Sequence, residues 1–146
     1  HVAELKGAHT TEVNPKTSHP VIDIMADQKE KMAQHNYGGT MRLGVYPAVL
    51  KKGTIAYSAY GSGKISERHR HRYEVNPEYI KLLTEAGLTF SGTSPDTRLM
   101  EIAELPKEIH PFFLGTQFHP EFKSTPLNPH PLFREFVKAA KNRSGK

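Results

Sequence analysis

Apolar and polar residues alternate along the middle of the chain, and this alternation predicts strands. Between Met41 and Leu50 apolar side chains recur at every second position, which is the period of a half-buried strand. Residues 54–60 fit either a strand, by their alternation, or a short helix capped by Thr54. Three later segments are short and apolar and are predicted to be strands: 88–91, 99–105 and 112–118.

Helical signals flank these strands. Asn76 and Pro77 supply a cap and a proline at the first helical position, so a helix is expected from there to Gly87. Pro131 opens a last helix. The first of these helices has four apolar residues on one predicted core face: Ile80, Leu82, Leu83 and Ala86. The second has an apolar stripe at helical spacing: Leu132, Phe133, Phe136, Val137 and Ala140.

Two more helical segments are predicted in the first 25 residues, which are otherwise loop-like. Residues 1–6 have the pattern of the last turns of a helix closed by Gly7. No capping residue precedes them, so we expect the chain to be cut from something longer. Pro20 is expected to open a single helical turn over residues 21–25. Strands with helices at both ends predict an α/β or α+β domain.

Composition excludes several classes of protein. The chain of 146 residues has no cysteine, which rules out disulfides and thiolate metal sites and fits an intracellular protein. No apolar run approaches the ~18 residues of a membrane-spanning helix. The net charge of +5 comes from scattered lysines and arginines, so we expect neither nucleic acid nor a membrane as partner. We expect the protein to be cytoplasmic.

The most informative residues are His119 and Glu121, which follow an apolar stretch. At the end of a strand, side chains two residues apart point the same way. A carboxylate that orients an imidazole supplies two members of a nucleophilic triad, whose third member would be a thiol or a hydroxyl. A histidine and a glutamate that merely satisfy each other are the commoner meaning of so short a pattern. The position after a buried strand and the stiff Pro120 between the two favour the catalytic interpretation.

Longer motifs identify a resemblance. The run Thr116–Phe122 resembles the histidine-and-glutamate motif of class I (triad) glutamine amidotransferases. Residues 38–44 (GGTMRLG) and 67–76 (ERHRHRYEVN) are similar to segments of the glutaminase domain of the CTP synthase family. The resemblance runs from about Gly7 to Ala140. It implies the C-terminal portion of a flavodoxin-like α/β glutaminase domain.

The resemblance also assigns roles. It makes His119 the general base and Glu121 the acid that orients it, while Glu12 and Arg72 match residues that bind the substrate glutamine. The family's nucleophilic cysteine, in a Gly-x-Cys-x-Gly turn, matches nothing in this chain. We therefore expect the chain alone to be inactive, because a base without a thiol cannot form the glutamyl thioester.

The implied partners lie in a longer parent enzyme. The resemblance implies that ammonia from glutamine passes to a synthetase domain, which uses ATP and Mg²⁺ to aminate UTP, in a homotetramer. It implies no cofactor in this chain and GTP as an allosteric activator, sensed through a lid at residues 26–37 with Gly38 and Gly39 as its hinge.

The Arg/His run allows other interpretations. In an extended chain Glu67, His69 and His71 point to one side and Arg68, Arg70 and Arg72 to the other. An edge strand would leave most of these side chains, on both faces, in water. His69 and His71 could instead bind a metal with Glu67 or His119, although a pair at this spacing is a weak signal. The arginine face could bind phosphate or nucleic acid.

Two other functions stay open. One is a different triad glutaminase, such as a relative of GMP synthase, against which the 67–76 run argues. The other is a non-enzyme, an amidotransferase-like glutamine-binding or regulatory module.

Overall fold

The strands form two sheets in the computed structural model, which describes residues 2–24 and 41–145. In chain order the elements are β1 (Ala8–Thr10), β2 (His19–Ile24), β3 (Arg42–Leu50), α1 (Ile55–Tyr60), β4 (Lys64–His71), β5 (Tyr73–Val75), α2 (Pro77–Glu85), β6 (Thr89–Thr93), β7 (Met100–Glu104), β8 (Leu114–Thr116), a 3₁₀ turn (Pro120–Lys123) and α3 (Pro131–Ser144). The larger sheet has the order β4-β3-β6-β7-β8 with every pair antiparallel. In the smaller, β1-β2-β5, β1 runs parallel to β2. The α/β class agrees with the sequence prediction.

The core lies between the larger sheet and the helices α1 and α3. It is made of small and branched residues from both layers: Leu50, Ala56, Ala59, Ile102, Phe118 and Leu132. Gly92 of β6 lies so close to Ile102 of β7 that a Cβ atom there would meet the isoleucine side chain at 2.8 Å. A glycine is therefore required where these two strands approach most closely.

Local signals place the helix starts. The Thr54 side chain accepts a hydrogen bond from the backbone of Tyr57, so residues 55–60 form the helix rather than the strand. Asn76 caps α2 in the same way. A signal that the sequence did not reveal is Glu104, 2% exposed, whose carboxylate accepts hydrogen bonds from Ile55 N and Ala56 N at 2.6 and 3.0 Å.

Both helical predictions in the first 24 residues are wrong for the described residues. Residues 2–6 contain no helix, and Glu4 has a φ of 51°. A left-handed backbone at Glu4 interrupts the run of right-handed helical angles that the predicted turns would need. Residues 19–24 form β2 instead of a helical turn, because the β-branched residues at 21, 22 and 24 pair with strands on both sides.

Two further expectations are corrected in part. β8 covers only residues 114–116 of the predicted strand 112–118, so the chain has left the sheet before His119. In α3, Leu132 is buried, but Phe136 and Val137 are 54% and 63% exposed. Phe136 contacts Phe112, with ring centroids 5.6 Å apart, but the residues of α3 that line the groove of about 860 Å³ beside α1 are mostly polar. Leu82 of α2 is likewise 40% exposed.

The predicted lid at residues 26–37, its glycine hinge at 38–39 and Met25 lie outside the described residues. Within the described ranges, none of the helices is long and apolar enough to cross a membrane.

Candidate functional site

A cleft of about 680 Å³ lies where the two sheets meet, and three of the four predicted site residues line it. Glu12 follows β1 of the smaller sheet, and His119 follows β8 of the larger one. Arg72 lies between β4 and β5, where the chain crosses from one sheet to the other. The fourth residue, Glu121, reaches the cleft through its contact with His119.

Glu12 projects from a tight turn that Thr10 organises. The Thr10 hydroxyl accepts a hydrogen bond from Glu12 N, and its carbonyl accepts one from Asn14 N. Thr11 ties the turn to β2 through a 2.6 Å hydrogen bond from its hydroxyl to Asp23. The Glu12 side chain is therefore held at the cleft by backbone bonds while its carboxylate stays exposed.

Arg72 occupies the bend between β4 and β5, and its side chain lines the cleft. The Nε atom is buried and has no hydrogen-bond partner among the described residues. A buried donor without an acceptor is costly, so this guanidinium is suited to an anionic ligand that would supply one.

His119 and Glu121 are in direct contact. The His119 Nδ1 atom lies 2.7 Å from Glu121 Oε1, and the backbone N–H of His119 donates to the carbonyl of Arg68. The expected route to this contact, a common strand face, is wrong, since Glu121 lies in a 3₁₀ turn. Pro120 opens that turn, and the turn brings the carboxylate back to the ring.

The contact fixes the chemistry of the imidazole. A carboxylate only accepts hydrogen bonds, so the His119 proton lies on Nδ1 and Nε2 carries the free lone pair. The hydrogen bond from His119 lowers the pKa of Glu121 and keeps it ionised. The ring also stacks on Phe122, with centroids 5.0 Å apart. The arrangement can accept a proton at Nε2 from a nucleophile in the cleft.

A buried charged cluster behind the cleft was missed by the sequence analysis. Arg42 of β3 lies 2.9 Å from Glu101 of β7 and 3.5 Å from Glu74 of β5. Burial raises the pKa of Glu74 to about 7, with Arg42 opposing the shift and Glu101 adding to it. Burial also raises the pKa of Glu101, and Arg42 again opposes. Because β3 starts with a charged residue whose partners lie far along the chain, no local pattern reveals this cluster.

His69 and His71 join that cluster as a hydrogen-bonded chain. His71 Nδ1 donates to the carbonyl of Tyr73 at 3.1 Å, so its Nε2 accepts from His69 Nδ1 at 2.8 Å. Burial, followed by the charge of Arg42, lowers the pKa of His69 to about 3 and that of His71 to about 4. Within residues 2–24 and 41–145, no three His, Cys, Asp or Glu side chains are arranged to hold a metal ion.

The expectation that most side chains of the Arg/His run lie in water is wrong for two residues. β4 is an edge strand, yet Glu67 and His69 are 3% and 2% exposed. The face that carries them packs against α1, the 3₁₀ turn and the start of α3. The half-buried Ile65, two residues before Glu67, is the sequence signal that marks this face as inward.

Comparisons with known proteins agree with this architecture. The sequence profile of the Glutamine amidotransferase class-I family matches residues 5–139. The chain is 60% identical over 141 residues to CTP synthase of Caldanaerobacter subterraneus subsp. tengcongensis, a match that covers 97% of this chain and 25% of that protein. It is 61% identical over 138 residues to CTP synthase of Rubrobacter xylanophilus, with coverages of 94% and 24%. The chain thus spans about a quarter of the length of the curated relatives it matches.

A solved structure is also similar. The glutaminase domain of Trypanosoma brucei CTPS with bound acivicin superposes with a TM-score of 0.84 at 36% sequence identity. The match covers 97% of this chain and 53% of the solved one.

Proposed function

The chain belongs to the class I glutamine amidotransferase family, and from this we propose that it forms the C-terminal portion of the glutaminase domain of a CTP synthase. Identities of 60% and 61% to CTP synthases support the choice of enzyme. The observation that carries the proposal is the cleft at the meeting of the two sheets, because one cavity gathers His119, Glu12 and Arg72.

The proposed reaction is the hydrolysis of glutamine to glutamate and ammonia. A cysteine thiolate attacks the side-chain amide carbon, and His119, which has taken the thiol proton at Nε2, returns it to the departing nitrogen as the C–N bond breaks. Water then attacks the thioester while His119 accepts its proton, and His119 returns that proton to the sulfur as the C–S bond breaks and glutamate is released. Glu121 holds the ring in the tautomer that both steps need. The thiol comes from outside this chain, which has no cysteine and is proposed to be inactive alone.

The cleft also suits the ends of the substrate. Free glutamine carries an α-carboxylate and an α-ammonium group in addition to its amide. We assign the carboxylate to Arg72, whose buried Nε lacks an acceptor among the described residues. The ammonium is assigned to the exposed carboxylate of Glu12. This pairing leaves the amide end of the substrate for His119, which lines the same cleft.

In the complete enzyme, by which we mean the native polypeptide that carries this chain, ammonia passes to a synthetase domain. There UTP, activated by ATP with Mg²⁺, is aminated to CTP, and GTP activates glutamine hydrolysis. The proposed assembly is a cytoplasmic homotetramer. These assignments rest on the identity to CTP synthases.

One experiment tests the whole proposal. The complete enzyme is isolated, its mass is compared with the 16.4 kDa of this chain, and the sequence around residues 1–146 is determined. CTP formation from UTP and ATP-Mg²⁺ is then measured with glutamine and with ammonium as nitrogen donor. We expect activity with both, and we expect acivicin, which the Trypanosoma brucei domain binds, to block only the glutamine-dependent rate.

Other outcomes reject the proposal in distinct ways. Amination of xanthosine monophosphate instead of UTP would identify a different triad glutaminase. Binding of glutamine without release of ammonia, by a native protein that lacks cysteine, would identify a non-catalytic module.

A further inference from the structure

We propose that Glu67 is a positioning residue for the His119–Glu121 pair, because its buried carboxylate links Lys123 and His130 of the segment 119–130 to strand β4. The inference rests on the proposed glutaminase function and concerns a residue that lies outside the cleft lining. Glu67 makes this link, called the tie below, through two contacts, one with Lys123 and one with His130.

The first end is Lys123, the last residue of the 3₁₀ turn that carries Glu121. Lys123 Nζ is 3.6 Å from Glu67 Oε2 and donates a hydrogen bond to the carbonyl of Ser66. On the other side of the turn, His119 N donates to the carbonyl of Arg68 at 2.9 Å. Residues 66–68 therefore hold both flanks of the turn.

The second end lies at the start of α3. His130 Nδ1 accepts a hydrogen bond from Leu132 N at 3.3 Å, so the ring proton lies on Nε2. Nε2 lies 3.2 Å from Glu67 Oε1 and donates to it. Both side chains are at most 3% exposed, so no water competes for this bond.

A third donor completes the surroundings of the carboxylate. The Tyr60 hydroxyl of α1 donates to the same Glu67 oxygen at 3.0 Å. Burial raises the pKa of Glu67, but the hydrogen bonds from His130 and Tyr60 and the charge of Lys123 outweigh it and lower the pKa overall. The carboxylate is therefore ionised at neutral pH and attracts all three donors.

The geometry separates the effect of Glu67 on turnover from any effect on substrate binding. Its partners Lys123 and His130 lie in the segment that follows the catalytic pair, whereas Glu12 follows β1 and Arg72 lies beyond the end of β4, and neither contacts Glu67 in the described structure. Loosening the tie shifts the His119 ring relative to the attacking thiol, and a displacement of about 1 Å costs on the order of a hundredfold in rate. The affinity for glutamine, which Glu12 and Arg72 provide, is unaffected.

The test is Glu67→Gln in the complete enzyme. The amide oxygen of glutamine can still accept from His130 and Tyr60, but the amide N–H₂ group then faces Lys123 and repels it. We expect the glutamine-dependent kcat to fall about tenfold to a hundredfold, with KM for glutamine and the ammonium-dependent rate changed less than twofold. Hydrogen exchange of peptides from segment 119–130 should become faster.

Glu104→Gln is the matched control. Glu104 is as buried as Glu67, and in the described part of the chain its carboxylate bonds to the backbone of Ile55 and Ala56 rather than to a residue of the segment. It is expected to leave kcat within twofold of wild type even if it lowers stability.

Lys123→Met keeps the inference falsifiable if Glu67→Gln does not fold, since Lys123 is 42% exposed and its loss is structurally mild. It should lower kcat several-fold, again without a change in KM, and the double variant should be no worse than Glu67→Gln alone. An unchanged kcat in either variant, a proportional rise in KM, or an equal loss in Glu104→Gln overturns the inference. An inactive wild type would instead overturn the proposed function.

Discussion

Two histidine–glutamate pairs in this fold use the same chemical groups in opposite ways. His119 and Glu121 are two residues apart and partly exposed, with side-chain exposures of 37% and 55%. His130 and Glu67 are 63 residues apart, and both are at most 3% exposed. The first pair lies beside a cleft, and the second joins a helix start to a strand.

The difference lies in what the second ring nitrogen does. In His130 the Nδ1 atom accepts from a backbone N–H and Nε2 donates to Glu67, so neither nitrogen is available. In His119 the Nδ1 atom is bound to Glu121, and no described residue hydrogen-bonds to Nε2. A carboxylate partner therefore indicates a proton-transfer site only where the other nitrogen stays open.

The largest expected effect comes from removing the His119 ring, whose Nε2 atom is available to accept a proton. His119→Ala in the complete enzyme should lower the glutamine-dependent rate of CTP formation by at least about a thousandfold, because the thiol loses its base. The ammonium-dependent rate should stay within twofold, since free ammonia bypasses the cleft. Steady-state rates with each donor measure both.

His110→Ala is the control for that variant. His110 is a half-buried histidine that lines the groove between α1 and α3 rather than the cleft, so both rates should be unchanged. Loss of the ammonium-dependent rate in His119→Ala would contradict the assignment, because it would mean that the residue supports the fold rather than the glutaminase step.

A smaller loss is expected from Glu121→Ala. Without the carboxylate the ring can turn and can place its proton on either nitrogen, but Phe122 still stacks on it and the base is still present. We expect kcat to fall on the order of a hundredfold, less than in His119→Ala. Kinetics with glutamine over a range of pH measure the loss. A loss equal to that of His119→Ala would mean that Glu121 takes part in the chemistry directly.

The sequence could reveal the first pair but not the second, for a physical reason. His119 and Glu121 are close in the chain, so a motif contains the whole interaction. The partner of Glu67 depends on how β4 and α3 are arranged in three dimensions. The helix starts at Thr54 and Asn76 were predictable because their caps are local.

The strand β2 was mistaken for a helical turn because its evidence is not local. Its residues pair with β1 and with β5, and β5 comes from a distant part of the chain. For the same reason the burial of His69 could not be inferred from the charged run that surrounds it, since Arg42 and Phe118 pack on it from elsewhere.

A third histidine–glutamate pair, His71 and Glu74, shows how burial changes the pKa of a carboxyl group that lacks the close hydrogen-bond donors of Glu67. Their closest atoms are 3.4 Å apart, and burial raises the pKa of Glu74 to about 7, whereas the hydrogen bonds to Glu67 lower its pKa. A folded-state pKa above the ordinary 4.5 means that the folded state holds more protons between these values. The stability contributed by Glu74 therefore falls as the pH rises from about 4.5 to about 7.

Glu74→Gln removes this titration. The stability of wild type minus that of the variant should fall by up to about 1.4 kcal/mol per pH unit in that window, and should level off above it. Hydrogen exchange of peptides from β2 and β5, compared at each pH from 5 to 8, measures the difference. His69 and His71 titrate in the opposite sense, but they are present in both proteins and largely cancel. A difference that rises with pH would refute the assigned direction.

The smallest expected effect comes from weakening the buried His130–Glu67 pair without breaking it. Tyr60→Phe removes one donor to Glu67 Oε1 and the 3.1 Å contact of that hydroxyl with His130 Nε2, while the direct contacts of Glu67 with His130 and Lys123 remain. A single hydrogen bond contributes about 1 kcal/mol, so hydrogen-exchange protection in β4 and the start of α3 should fall about fivefold. The glutamine-dependent kcat should change less than twofold, because the segment that carries His119 is still linked to Glu67 through Lys123 and His130.

Tyr57→Phe is the matched control. Tyr57 belongs to the same helix, but its hydroxyl makes no hydrogen bond to Glu67, so the substitution should leave protection in β4 unchanged. If Tyr60→Phe lowered kcat as much as Glu67→Gln, α1 rather than the Lys123 and His130 ties would position the catalytic pair.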